Sequence, residues 1–169
     1  STARSSLAYL CTARMMAANA PIRLRVMIPV VDNAIAGDAF RPRDVIRTRS
    51  GKTVEIGYTD AEGRLILCDA LTEADSEAPD FMIDFATLTG AARVALGPEL
   101  QALYCDDDGT ACMLQESGAR VGDPLWRMPL WKPYRRMNEA KCADLDNFPT
   151  SPFAGSIVAA LFLQEFVHK

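Results

Sequence analysis

Apolar and polar positions follow two rhythms along this chain. From Leu7 to Ala18, Leu, Tyr and Met recur at helical spacing with alanines between them, and Asn19-Ala20-Pro21 ends the run. Leu24 to Val31 is a β-branched run bounded by polar residues, which predicts a buried strand. Asp32 to Asp44 is punctuated by Gly and Pro and predicts a long loop. Val45 to Ile56 predicts two short strands turned at Ser50-Gly51. The helical period returns over Leu65 to Ala74, and Asp80 to Ala86 predicts a second buried strand. Gly90 to Leu96 predicts a short helix. Leu100 to Cys105 predicts a third strand, closed by Asp106-Asp107-Asp108-Gly109. Thr110 to Val121 and Gly155 to Val167 predict helices. Asp123 to Pro152, rich in Pro, Trp and charge, predicts irregular backbone.

Helix and strand alternate, and the strand candidates are continuous apolar runs. That pattern predicts an α/β fold: a mixed, largely parallel sheet covered by helices on both faces. No repeat, low-complexity tract or linker interrupts the 169 residues, so one domain over 1–169 is expected.

Composition adds little to this picture. The formal charge of −4 disfavours nucleic acid as a partner. No apolar stretch is long enough to span a bilayer, so no membrane role is expected. The five cysteines are odd in number, form no Cys-x-x-Cys pair and lie in or beside apolar runs. They predict reduced thiols and a cytoplasmic protein. One histidine, His168, excludes a histidine-based triad or zinc site from this chain alone. The basic stretch Arg41, Arg43, Arg47, Arg49 and Lys52 predicts a solvated hairpin face. The three aspartates at 106–108 predict a surface turn, since they lack the further oxygens of a calcium loop. Trp126, Trp131 and Tyr134, among prolines, predict packing or a subunit contact.

The chemistry-bearing segment is Asp60-Ala61-Glu62-Gly63-Arg64. In an extended backbone, side chains two apart share a face. Two carboxylates would then project together with a guanidinium beside them. Such crowding is unfavourable unless a cation sits between the acids, and a divalent metal would keep both ionised. Ala61 and Gly63 leave room for other groups to approach. A solvated strand face with a weak ion pair has the same spacing, and spacing alone does not separate the two.

The flanking residues do. Ser50-Gly51-Lys52-Thr53-Val54-Glu55 followed by Thr59-Asp60-Ala61-Glu62-Gly63-Arg64-Leu65 resembles the leucyl (cytosol) aminopeptidase family, whose hallmark reads Asn-Thr-Asp-Ala-Glu-Gly-Arg-Leu. Further stretches agree in order: Phe40 to Val45, Ala86-Thr87-Leu88-Thr89-Gly90-Ala91, Ala95-Leu96-Gly97, Ala143 to Asn147, and Ala154-Gly155-Ser156 to Phe166.

The resemblance implies a metal-dependent aminopeptidase that releases N-terminal amino acids, leucine-type, from peptides by two-metal hydrolysis. It implies two divalent ions, Zn, Mn or Mg, with Asp60 and Glu62 among their ligands. It makes Arg64 catalytic through a bound bicarbonate. Ala61, Gly63, Thr87, Leu88, Thr89 and Gly90 would bind substrate or bicarbonate, and the protein would form a homohexamer.

Two departures limit this. Tyr58 stands where the hallmark has asparagine. The family's other metal ligands, a lysine and two aspartates, and its second catalytic lysine precede the region that matches Ser1. Lys52 and Lys141 match neither lysine position. The chain is therefore expected to be a catalytic domain truncated at both ends and inactive by itself. The alternative expectation is a non-catalytic relative or scaffold that keeps the fold and oligomer contacts.

Overall fold

A computed structural model describes residues 11–31, 37, 39–149 and 151–168. Residues 11–17 are helical; the first residues of the expected leading helix and most of the loop at 32–38 lie outside the described residues.

The centre of the molecule is a hairpin, a helix and a returning strand. Strand β1 (Val45–Arg47) pairs antiparallel with β2 (Thr53–Glu55), Val45 opposite Glu55. The turn between them needs Gly51, whose φ is +88°. Helix α1 (Glu62–Asp75) follows, with Leu65, Cys68 and Leu71 on its buried face. The very apolar helix α4 (Gly155–Gln164) lies against it and buries Val158, Leu161, Phe162 and Leu163. One cluster joins these elements: Val54, Ile56, Leu65, Cys68, Leu71, Phe162, Leu163 and Phe166. Cys68 behaves as a small hydrophobe there. Burial pushes its thiol up to about 12, and Sγ donates to the Leu65 carbonyl at 2.9 Å.

Helix α2 (Gly90–Leu96) leads to β3 (Gln101–Leu103), and helix α3 (Asp108–Val121) follows. Asp107 caps α3 by accepting from the Thr110 N–H at 2.7 Å, and Gly122 closes it with φ +76°. The aspartate run is thus a turn and a helix cap. Strand β4 (Leu125–Arg127) pairs parallel with β3, and β5 (Leu145–Asp146) pairs parallel with β2. A 3₁₀ helix (Lys132–Asn138) packs on α4 between them. The architecture is α/β with mostly parallel pairing, as the alternation predicts.

Three expectations need correction. The runs at 24–31 and 80–86 form no ladder among the described residues, and Leu24, Val30, Phe81 and Phe85 are exposed there. β-Branched composition describes fitness for a pleated, half-buried surface, and without a pairing partner it makes no strand. Conversely, 123–152 is not wholly irregular: it carries β4, the 3₁₀ helix and β5. Strands of two or three residues are too short to show a period.

Three of the five basic residues of the stretch are paired locally. Arg43 Nη1 bonds Glu55 at 3.0 Å, Arg49 pairs with Glu73, and Lys52 Nζ bonds Glu165 at 2.9 Å. The hydrogen bond from Arg43, with the N–H groups of Lys141 and Cys142, holds the Glu55 carboxyl below 4.5 against the opposing effect of burial. A carboxylate whose pKa is lowered by folding stabilises the fold above its unfolded pKa and stops doing so as pH falls through the folded one. Thermal melts followed by circular dichroism are therefore expected to lose stability progressively below about pH 4.5. Glu55→Gln melts lower at neutral pH and shows a shallower acid limb; an unchanged acid limb would count against this.

Candidate functional site

The expected extended path through Asp60 and Glu62 is not what the chain adopts. Strand β2 ends at Glu55, residues 57–60 turn, and Glu62 opens α1. Within a helix, residues two apart do not face each other. Arg64 is accordingly directed away from Glu62 and into the protein, where it is only 5% exposed. No ion pair joins it to Asp60 or Glu62 among the described residues.

Asp60 is exposed and Glu62 is half-buried. Neither carboxylate has a hydrogen-bond or salt-bridge partner among the described residues. Glu62 in the first helical turn is favoured by the helix dipole.

The Arg64 guanidinium lies 5.6 Å from the Phe162 ring centroid, a cation–π contact, and its Nη1 has no hydrogen-bond partner. Burial lowers its pKa to about 10, opposed by the charge of Asp146. It stays cationic at neutral pH. A buried cation with an idle donor suits an anion.

The Thr87–Gly90 segment is brought alongside. Leu88 packs against the core cluster, with Cδ1 3.8 Å from where a Cβ on Gly63 would stand. Thr89 is the N-cap residue of α2, and Gly90 is that helix's first residue. The fold therefore brings Leu88 against the hallmark segment, and with it the start of α2.

The structure adds a residue that spacing did not single out. Asn147, fully buried, bonds the backbone of Gly57, Tyr58 and Ala61. Tyr58 packs on Phe148, ring centroids 5.1 Å apart. The signal available in the sequence was the placement of Asn147 in a matching segment, which does not state its role.

The carboxylates present are hard oxygen donors suited to Zn, Mn or Mg. They would supply part of a divalent-metal site, whereas Arg64 is buried and turned away from Glu62. Among the described residues, no group of three or more His, Cys, Asp or Glu side chains is gathered to complete it.

The catalytic domain of the cytosol aminopeptidase family matches residues 5–169. A probable cytosol aminopeptidase of Xanthomonas oryzae pv. oryzae is 48% identical over 152 residues, 90% of this chain and 31% of that protein. One of Stenotrophomonas maltophilia is 49% identical over 149 residues, 88% of this chain and 30% of its own length. The crystal structure of the Coxiella burnetii cytosol aminopeptidase superposes with a TM-score of 0.87 at 52% identity, covering 92% of this chain and 34% of that one. Tomato leucine aminopeptidase, solved as a lysine-to-glutamate mutant, gives 0.78 at 40% identity, covering 81% and 27%. The chain thus spans about a third of the length of the relatives it matches. By its hallmark, its fold and these matches, it belongs to the cytosol aminopeptidase family, within the catalytic domain.

Proposed function

We propose that this chain supplies one side of the two-metal centre of an aminopeptidase that removes N-terminal residues, leucine-type, from peptides. The observation that carries the proposal is the pair of unpartnered carboxylates, Asp60 and Glu62, at the mouth of α1. Asp60 and Glu62 would hold the ions, Zn, Mn or Mg. Bound metal would supply Lewis acidity, lowering the pKa of water and stabilising an oxyanion. Arg64 would hold a bicarbonate through its idle Nη1, and Ala61, Gly63 and Thr87 to Gly90 would line the peptide's path. The five unbonded cysteines support a reducing, cytoplasmic setting. Among the described residues no helix is long and apolar enough to cross a membrane.

Two carboxylates do not close the coordination of two ions. We therefore propose that the chain alone is inactive and depends on ligands outside it. The large exposed side chains of Trp126, Trp131, Phe85 and Phe153 favour burial in a larger assembly, with a homohexamer as the family's form. A scaffold that keeps only those contacts is the second reading. Both are tested with manganese and leucine amide: the purified chain is expected to show no turnover, and the protein expressed from its full reading frame is expected to hydrolyse the substrate. Turnover by the chain alone would sink the dependence on outside ligands. An inert full reading frame that still assembles would favour the scaffold.

A further inference from the structure

The turn that presents Asp60 has little support of its own. Ala61, the N-cap residue of α1, makes no side-chain cap bond. Within the turn the Ala61 N–H reaches the Tyr58 carbonyl at 3.2 Å. Further support comes from a residue 90 positions away. Asn147 Oδ1 accepts from the N–H groups of Gly57 at 2.9 Å and Tyr58 at 3.1 Å. Its Nδ2 donates to the carbonyls of Tyr58 at 2.8 Å and Ala61 at 3.5 Å. Both lone pairs of the amide oxygen and both amide hydrogens are thereby spent on the backbone of 57–61. The Asn147 N–H donates to the Glu55 carbonyl at 3.0 Å, which ties the clamp to the end of β2.

Its neighbours close the path from either side. The Asp146 carboxylate occupies the space a side chain on Gly57 would need, and Phe148 packs on Tyr58. Residues 146–148 form a platform under the turn, and of these three it is Asn147 that bonds backbone on both sides of Asp60. Where Asp60 and Glu62 point is set by this backbone path.

We propose that Asn147 is a positioning residue of the metal site: its amide sets the turn so that the Asp60 and Glu62 carboxylates meet the same centre. This rests on the metal reading of those two acids. Hydrogen-bonded groups behind metal ligands change affinity by about 10- to 100-fold when removed. Asn138 provides a control. It is equally buried and donates to the Val158 carbonyl at 3.0 Å, and it makes no bond to the turn.

The test uses protein expressed from its full reading frame. Manganese affinity is measured by calorimetry and folding by circular dichroism. Asn147→Ala is expected to weaken manganese binding about 10- to 100-fold in protein that is still folded. Asn138→Ala is expected to lower the melting temperature and leave manganese affinity within about twofold of the parent. If Asn147→Ala does not fold, Asn147→Gln keeps the amide one methylene too long, and the same loss of affinity is expected. A folded Asn147 variant whose affinity matches that of Asn138→Ala would overturn the proposal and leave Asn147 a packing residue. Unchanged affinity in Asp60→Ala plus Glu62→Ala would instead remove the metal reading beneath it.

Discussion

Asp60→Ala combined with Glu62→Ala, in the protein expressed from its full reading frame, is expected to lower manganese-dependent hydrolysis of leucine amide by about 10³-fold or more. Metal polarisation contributes several kcal/mol to such a barrier, and each ~1.4 kcal/mol is a decade of rate. Stability is expected to move little. Neither carboxylate has a partner to lose among the described residues, and the helix-dipole contribution of Glu62 is only about 0.3–1 kcal/mol. A large loss of rate without a loss of fold is the mark of a ligand pair. Rates would be read at saturating manganese, alongside thermal melts. Retained turnover would sink the assignment, and a parallel collapse of the melting temperature would make these acids structural.

The elements legible in the sequence are those long enough to carry a period or a local chemical rule. Leu65, Cys68 and Leu71 announce α1, Ser50-Gly51 announces the hairpin, and the run from Thr110 to Val121 announces α3, whose start at Asp108 and capping by Asp107 it did not reveal. What was not legible depends on distant partners. Strand β5 exists because Val54 lies opposite Leu145, a pairing across the chain that no window of residues reveals. The run Leu24 to Val31 errs the other way. Its residues suit a ladder, but no strand among the described residues pairs with it.

The candidate site divides along the same line. Residue identities at Asp60, Glu62 and Arg64 carried the family reading, while their geometry did not follow from spacing. A period of two assumed an extended backbone, and the start of α1 at Glu62 replaces it with a turn and a helix. Arg64 is thereby carried into the core and away from the acids. Asn147 escaped notice because an asparagine that serves backbone groups 90 residues away leaves no local trace.

Arg64→Met is expected to separate stability from function in opposite directions. Arg64 is 5% exposed, has an unpartnered Nη1, and has its pKa lowered to about 10 by burial. An unsatisfied buried polar group costs about 1–3 kcal/mol, and the Phe162 contact returns about 0.5–2 kcal/mol. Methionine fills a similar volume without the idle donor, so the variant is expected to be about 1 kcal/mol more stable at neutral pH. Burial disfavours the charged guanidinium, which still remains protonated, so the gain from its removal does not depend on titrating it. Activity moves the other way. If the guanidinium holds the general base, its loss is expected to lower kcat by about 10²- to 10⁴-fold with manganese affinity retained. Denaturant unfolding and steady-state rates on the same preparations check both halves. A variant that is less stable and still active would show that Arg64 serves the fold and that no anion depends on it.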